Sequence, residues 1–398
     1  MRLWHFKRLP TGRFVPGHPS PRLLVPGLLL LALLLTVLLL SGLLSPTQAG
    51  SLTEHRFQAR AYAGSQDRDY QVYVPDGLTG PAPLVMVLHG CGQTSADVLR
   101  DWGMRAAADR YHFILVTPSI TRWDGLRGPN CWGFWLPQHR QRGRGEPEDL
   151  YQIAREVEQR YPIDPQRRYL AGLSSGGAMT AILAVTHNDY WAAVATVAGL
   201  PYGEDATAVS VLGVCPGWAQ FHPLPWTVAA MRAQLGPHPY PMPVLVVQNE
   251  RDCTVKPPAG LLLRDAQLAL YGSAGHQSAI TTAVGEPTPC QPVYAEDYGC
   301  RHARHSRDGQ PASPTLVETV WYEGPLATAY RGDKDLGHYW IGGEQGKEGP
   351  YAVREGPSHP DLIWDFFQRH PRVGEGGGPT STATVSDPIR ADPESTTP

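Results

Sequence analysis

An α/β fold, with a mostly parallel central sheet flanked by helices, is predicted by three observations. Short continuous apolar runs recur at LVMVL (84–88), FILVT (113–117) and PVLVV (243–247), as strands buried on both faces require. Stretches of helical period lie between such runs. Most connections are short, and strand–helix alternation of this kind builds parallel sheets.

The elements follow in order. Asp69–Val74 alternates polar and apolar residues, as a half-buried early strand does. Residues 96–111 read as one helix. A second helix opens near Pro147, which is tolerated in a first turn whose N–H has no partner; Leu150, Ile153, Ala154, Val157 and Tyr161 share its apolar face. Arg168–Ala171 reads as a short strand, Gly177–Ala184 as a small-residue helix, and Ala192–Val197 as another strand. Leu261–Leu270 reads as a helix. Leu316–Trp321 and the residues near Ala327–Tyr330 are expected as late strands. The last helix spans Asp361–Gln368, with Leu362, Ile363, Phe366 and Phe367 on one side. Two long stretches, 118–146 and 272–315, break the alternation. Loops of that length in a compact domain are usually functional or locally stapled; the second, 272–315, reads as an inserted loop.

The two ends read differently. Arg2, Lys7, Arg8, Arg13 and Arg22 precede an apolar run from Leu23 to Leu44, and Thr47 and Ala49 stand at a small-residue exit. Residues 1–49 are therefore expected to be a cleaved signal peptide or, since the run is long enough to span a bilayer, a signal anchor. Either exports the chain beyond residue 49, to a secreted, extracellular or periplasmic location, and only an uncleaved leader would hold the protein at a membrane. Residues 373–398 are rich in Gly, Pro, Ser and Thr and poor in apolar residues, the composition of a disordered tail. Residues 52–372 remain, a length that suits one large α/β domain as well as two small ones. Taking the five leader cations from the chain's 34 basic residues leaves 29 against 37 acidic ones. No basic patch with interleaved aromatics occurs, so nucleic acid is not an expected partner. The six cysteines (91, 131, 215, 253, 290 and 300) all lie beyond the leader, an even number in a compartment that permits disulfides.

The chemistry concentrates at RRYLAGLSSGGAMTAI (167–182). Gly172-Leu173-Ser174-Ser175-Gly176 matches Gly-x-Ser-x-Gly, a weak signal alone in a chain with 42 glycines. Its setting strengthens it: a strand ends just before it and a helix begins just after it, as at a nucleophile elbow. Ser174 is the expected nucleophile at the apex. Ser175 is expected to offer its backbone N–H to an oxyanion and its hydroxyl to the helix cap. A serine needs a base, and the base an orienting acid, in the chain order Ser, acid, His. Asp252, just past the strand Pro243–Gln248, is the expected acid, with Glu250 the nearest rival. His338, in the Gly-flanked DLGHYWIGG, is the expected base, ahead of His276, His302, His305, His359 and His370. The turn His89-Gly90-Cys91-Gly92 comes after an early strand, and its Cys91 N–H is the second expected oxyanion donor.

HGCGQT, NCWGFW, RRYLAGLSSGGAMT, AGLPYG, ERDCTV and GHYWIGG together resemble the polyhydroxybutyrate depolymerase-like esterases, a group that includes feruloyl and acetylxylan esterases. The resemblance covers about residues 60–345. It implies an α/β-hydrolase fold, secretion, a Ser174–Asp252–His338 triad and oxyanion donors at Cys91 and Ser175. It also implies a Cys91–Cys131 disulfide, with Cys290–Cys300 a plausible local pair and Cys215–Cys253 remaining. QNERD departs from the His-Gly pair that usually precedes the acid, so the surroundings of Asp252 are expected to differ. Trp132, Trp340 and Tyr202 are candidate walls of the substrate pocket, and Trp135 is as readily core.

The expected function is hydrolysis of a carboxylic ester, first of a polyhydroxyalkanoate. The alternative is a feruloyl or acetyl ester of plant cell walls, which the same machinery serves. No metal or organic cofactor is required, and activity is expected to rise with pH as His338 loses its proton. A non-catalytic surface protein on the same scaffold would predict a missing triad member, yet Ser, Asp and His all have residues in place.

Overall fold

Among the described residues the buried runs take their places in one ten-stranded sheet. The computed structural model describes residues 50–120, 130–210, 218–236, 239–271, 284–306, 314–324 and 337–372. The strands in chain order are β1 (Ser51–Phe57), β2 (Arg68–Val74), β3 (Ala82–Leu88), β4 (Ile114–Pro118), β5 (Ile163–Leu173), β6 (Ala193–Val197), β7 (Val244–Asn249), β8 (Thr288–Pro289), β9 (Val293–Tyr294), β10 (Arg301–Ser306), β11 (Thr315–Tyr322), β12 (Trp340–Ile341), β13 (Ala352–Val353) and β14 (Gly356–Pro357). The sheet order is β1-β2-β4-β3-β5-β6-β7-β11-β10-β8. From β4 through β11 every pairing is parallel; β1, β2, β10 and β8 are antiparallel additions at the edges.

The helices are α1 (Ser95–Asp101), α2 (Met104–Tyr111), α3 (Gly145–Arg160), α4 (Ser175–Thr186), α5 (Leu224–Arg232), α6 (Pro258–Tyr271) and α7 (His359–Arg369). They cover both faces of the sheet, which explains the continuous apolar runs. Leu84, Met86 and Leu88 of β3 join one core with Leu150 and Ile153 of α3 and Ile182 and Leu183 of α4. Val85 and Val87 of the same strand join a second core with Met104 and Ala107 of α2 and Phe366 and Phe367 of α7. A pleated strand sends alternate side chains to opposite faces, so both sets must be apolar.

Two expectations change. The single helix over 96–111 is two helices, broken at Gly103. Its φ is +72°, and a Cβ there would lie 2.5 Å from the Gly342 carbonyl oxygen. The backbone after β12 crosses at that point, and only glycine lets it pass. The insertion 272–315 is also not simply a loop. Its described part carries β8, β9 and β10, and β10 pairs with β11 to extend the sheet. The sequence of β10, RHARHS, lacks the apolar run that marks a buried strand, because this strand lies near an edge. His302 of β10 and Arg369 of α7 converge on the buried Glu318 carboxylate of β11, with His302 Nε2 2.6 Å from Glu318 Oε2. These partners hold the Glu318 carboxyl far below the usual carboxylate range against the opposing effect of burial.

The leader, the tail and the expected strand near Ala327–Tyr330 lie outside the described residues. Among the described residues no helix is long and apolar enough to cross a membrane.

Candidate active site

The expected catalytic residues gather at the carboxyl edge of the parallel strands, where such sheets place their ligands. Ser174 comes directly after the last residue of β5 and precedes the first of α4. Its φ of 57° and ψ of −118° lie outside the regions ordinarily open to a side-chain-bearing residue. Tight packing imposes this conformation. A Cβ at Gly172 would lie 2.4 Å from the backbone of Gly176, and one at Gly176 would lie 2.3 Å from the Leu88 carbonyl oxygen. The two glycines let strand, turn and helix cross almost in contact, and the Ser174 N–H donates to Val197 O at 2.9 Å. The expected capping role of the Ser175 hydroxyl does not hold. The N-cap residue is Ser174, with no side-chain cap, and the Ser175 hydroxyl instead accepts the Trp132 N–H at 3.4 Å.

Asp252 lies three residues beyond β7 and is buried. Its Oδ1 accepts the N–H groups of Thr254 (2.8 Å) and Val255 (2.9 Å). Its Oδ2 accepts from His338 Nδ1 at 2.7 Å, which leaves His338 Nε2 as the other ring nitrogen. Burial pushes the Asp252 carboxyl up, and His338 with the two backbone donors works against that rise. The departure at QNERD has a structural meaning. Asn249 Nδ2 donates to Gly337 O and to the Tyr339 hydroxyl, both at 2.9 Å, and so clamps both neighbours of His338. Asn249 Oδ1 accepts the Arg251 N–H at 3.0 Å, which ties the acid turn to the same side chain. Gly337 is required here, since a Cβ would lie 2.6 Å from Arg251 O at a φ of +60°. The rival acid Glu250 is ion-paired with Arg301. His302 and His370 bond Glu318, His305 lies in β10 beside Thr319, and His359 accepts the Ile341 N–H. His276 lies outside the described residues.

The expected oxyanion turn stands beside the serine: a Cβ at Gly90 would lie 3.4 Å from Ser174 Cβ. No acceptor among the described residues takes the N–H of Cys91 or of Ser175. Gln93 braces the turn, its Oε1 accepting the Gly90 N–H at 3.0 Å while its Nε2 donates to Pro350 O. Cys91 and Cys131 are disulfide-bonded, as are Cys290 and Cys300. Cys253 is also in a disulfide, and Cys215, the other half of the remaining expected pair, lies outside the described residues. Among the described residues no group of three or more His, Cys, Asp or Glu is arranged to hold a metal ion.

The expected pocket aromatics, Trp132, Trp340 and Tyr202, are all buried. Trp132 is fully buried, with its Nε1 donating to His89 O at 3.0 Å and its ring 5.3 Å from the His89 ring. It thereby braces the start of the His89–Gly92 turn. Trp340 is fully buried too, stacked on Trp102 at 4.2 Å and bonded to Trp102 O. Tyr202 is buried and donates its hydroxyl to Arg140 O at 2.6 Å. Large apolar rings beside motif residues pack against the loops that carry those residues. Trp135 is half-buried and packs edge-on against Phe134. Among the described residues an exposed aromatic near the site is Tyr351, which stands in no motif and gives no signal in the sequence. Its ring lies 6.2 Å from the His338 ring.

His89 is fully buried, and burial lowers its pKa to about 4; the same cause lowers His359 to about 3. Both are neutral in the folded protein at pH 7, whereas in the unfolded chain they accept a proton below about pH 6.5. Their folded pKa values lie below the unfolded ones, so this stability is complete above pH 6.5 and is lost as pH falls toward 4. Each is expected to cost about 2 kcal/mol between pH 7 and pH 5. Urea midpoints at the two pH values check this, and His359→Gln should flatten the dependence.

The comparisons agree with this architecture. Residues 68–281, just over half the chain, match the family described as esterase PHB depolymerase. Poly(3-hydroxyalkanoate) depolymerase C of Paucimonas lemoignei is 35% identical over 143 residues, 36% of this chain and 34% of that protein. Feruloyl esterase B of Neurospora crassa is 31% identical over 145 residues, 36% of this chain and 48% of that protein. The chain thus spans between a third and a half of the length of these relatives. Among solved structures, an acetyl xylan esterase from Aspergillus awamori matches 80% of this chain and 99% of its own, with a TM-score of 0.55 at 16% identity, a likeness of fold. With a parallel sheet, an elbow serine and a family match over more than half its length, the chain belongs to the esterase PHB depolymerase family and has the α/β-hydrolase fold.

Proposed function

We propose that the protein is an exported serine esterase in which Ser174, His338 and Asp252 form the catalytic triad. The observation that carries this reading is the Asp252–His338 hydrogen bond at the same sheet edge as the strained Ser174. His338 Nε2 takes the Ser174 hydroxyl proton as Oγ attacks the ester carbonyl. The carbonyl oxygen becomes an oxyanion that accepts from the N–H groups of Cys91 and Ser175. The intermediate collapses, the C–O bond to the alcohol breaks, and His338 passes its proton to the departing oxygen. Water then attacks the acyl-enzyme through the same base, releasing the acid and restoring Ser174. Asp252 keeps the imidazole in the tautomer that presents Nε2 and stabilises the imidazolium.

The favoured substrate is a polyhydroxyalkanoate or its oligomers, because the 35%-identical relative is a poly(3-hydroxyalkanoate) depolymerase. A cell-wall ester is the second reading, favoured by the 31%-identical feruloyl esterase. Product release by the purified protein separates them, with hydroxybutyrate oligomers, amorphous polyhydroxybutyrate, methyl ferulate and acetylated xylan each run beside Ser174→Ala. Release from the hydroxybutyrate substrates is the expected result. Release only from ferulate or xylan would overturn the polyester reading and keep the mechanism.

A further inference from the structure

Tyr351 sits in the turn between β12 and β13 with a φ of 52°, a left-handed conformation that a bulky residue rarely adopts. Such strain persists where the surroundings impose it and concentrates at functional sites. Here the constraints come from both halves of the proposed machinery. On the His338 side, Trp340 N–H donates to Tyr351 O at 2.9 Å, and Trp340 is itself locked on Trp102. On the oxyanion side, Gln93, which braces Gly90, bonds to the carbonyl of the neighbouring Pro350. The ring is thereby held edge-on, 6.2 Å from the His338 ring, and a Cβ at Gly92 would lie 3.7 Å from its Cε2. It is 36% exposed, whereas Trp132, Trp340 and Tyr202 are 5% exposed or less. Among the described residues its hydroxyl has no hydrogen-bond partner.

Resting on the triad reading above, we propose that Tyr351 determines specificity for the alcohol half of the ester, receiving flat or apolar alcohol groups against its ring. The chemistry sets the side. His338 Nε2 must hand its proton to the leaving oxygen, so that oxygen comes within hydrogen-bond reach of the imidazole. The next atoms of the alcohol then pass whatever flanks His338, and among the described residues the exposed ring that flanks it is Tyr351. The acyl chain leaves the carbonyl in another direction. An aromatic face suits an aryl or compact apolar alcohol, and the unpartnered phenol can bond a hydroxyl or carbonyl further along it.

The test compares the full chain with Tyr351→Ala and Tyr351→Phe on ethyl acetate, benzyl acetate and ethyl butyrate. Tyr351→Ala is expected to lower the benzyl-to-ethyl acetate ratio of kcat/KM about fivefold, through KM, the scale of one aromatic contact. Tyr351→Phe should retain that ratio. An equal loss on all three esters, or a change confined to the butyrate-to-acetate ratio, would overturn the proposal. Ser174→Ala run in parallel separates the two readings, since hydrolysis that survives it sinks the triad and not the ring contact. The ring contact has its own readout: benzyl alcohol binding to Ser174→Ala, followed by ligand-observed NMR, should weaken when Tyr351→Ala is added. No weakening would overturn the Tyr351 assignment whatever the hydrolysis shows.

Discussion

Replacing Ser174 with alanine is expected to lower kcat on short esters by about 10⁴- to 10⁶-fold, the scale seen when a nucleophile is removed from such a machine. Two features single out this serine from its neighbour. Ser174 alone occupies the strained apex, whereas Ser175 begins α4 with ordinary helical company. The Ser175 hydroxyl is also engaged, accepting the Trp132 N–H within the packed NCWGFW loop. Ser175→Ala keeps the backbone N–H proposed to serve the oxyanion and loses only this long hydrogen bond, so its effect should be far smaller. Stopped assays of p-nitrophenyl butyrate hydrolysis with both variants, with circular dichroism to confirm folding, decide the matter. If Ser175→Ala is the silent enzyme and Ser174→Ala the active one, the elbow assignment is wrong.

Asp252→Asn is expected to cost about 10⁴ in kcat while leaving the fold intact. The amide matches the carboxylate in shape and can still accept the Thr254 and Val255 N–H groups through its oxygen. Its NH₂ would then face His338 Nδ1, which now donates to Asp252 Oδ2. Two donors cannot share one hydrogen bond, so Nδ1 must become an acceptor and the proton must move to Nε2. That tautomer cannot take the Ser174 proton. Glu250→Gln is the comparison, because Glu250 is tied to Arg301 and should affect kcat little. A loss under tenfold for Asp252→Asn, with a large loss for Glu250→Gln, would move the acid to Glu250.

The sheet was legible because its signals are local. Continuous apolar runs mark strands covered on both faces, and β3, β4 and β7 appear where LVMVL, FILVT and PVLVV stand. β10 was missed because a strand near the edge needs no apolar run, and its RHARHS carries His302, a partner of Glu318, instead. The helix over 96–111 was read through its break because the cause lies far along the chain, where the Gly342 backbone crosses Gly103.

The site divides along the same line. Ser174, Asp252 and His338 could be proposed from sequence alone because each stands in a short motif whose chemistry needs a defined chain order. The sequence by itself determined the fold class, the elbow and the candidate residues, since strand period, glycine spacing and residue type are read within a few positions. The tertiary structure alone decided which aromatics are buried, which stand open, and what holds the histidine. Trp132 and Trp340 turned out to be buttresses, Tyr351 stands open beside His338, and Asn249 clamps Gly337 and Tyr339 from 88 and 90 residues away. The physical reason is that burial and hydrogen-bond partnership depend on segments distant in sequence that meet only when the chain is packed.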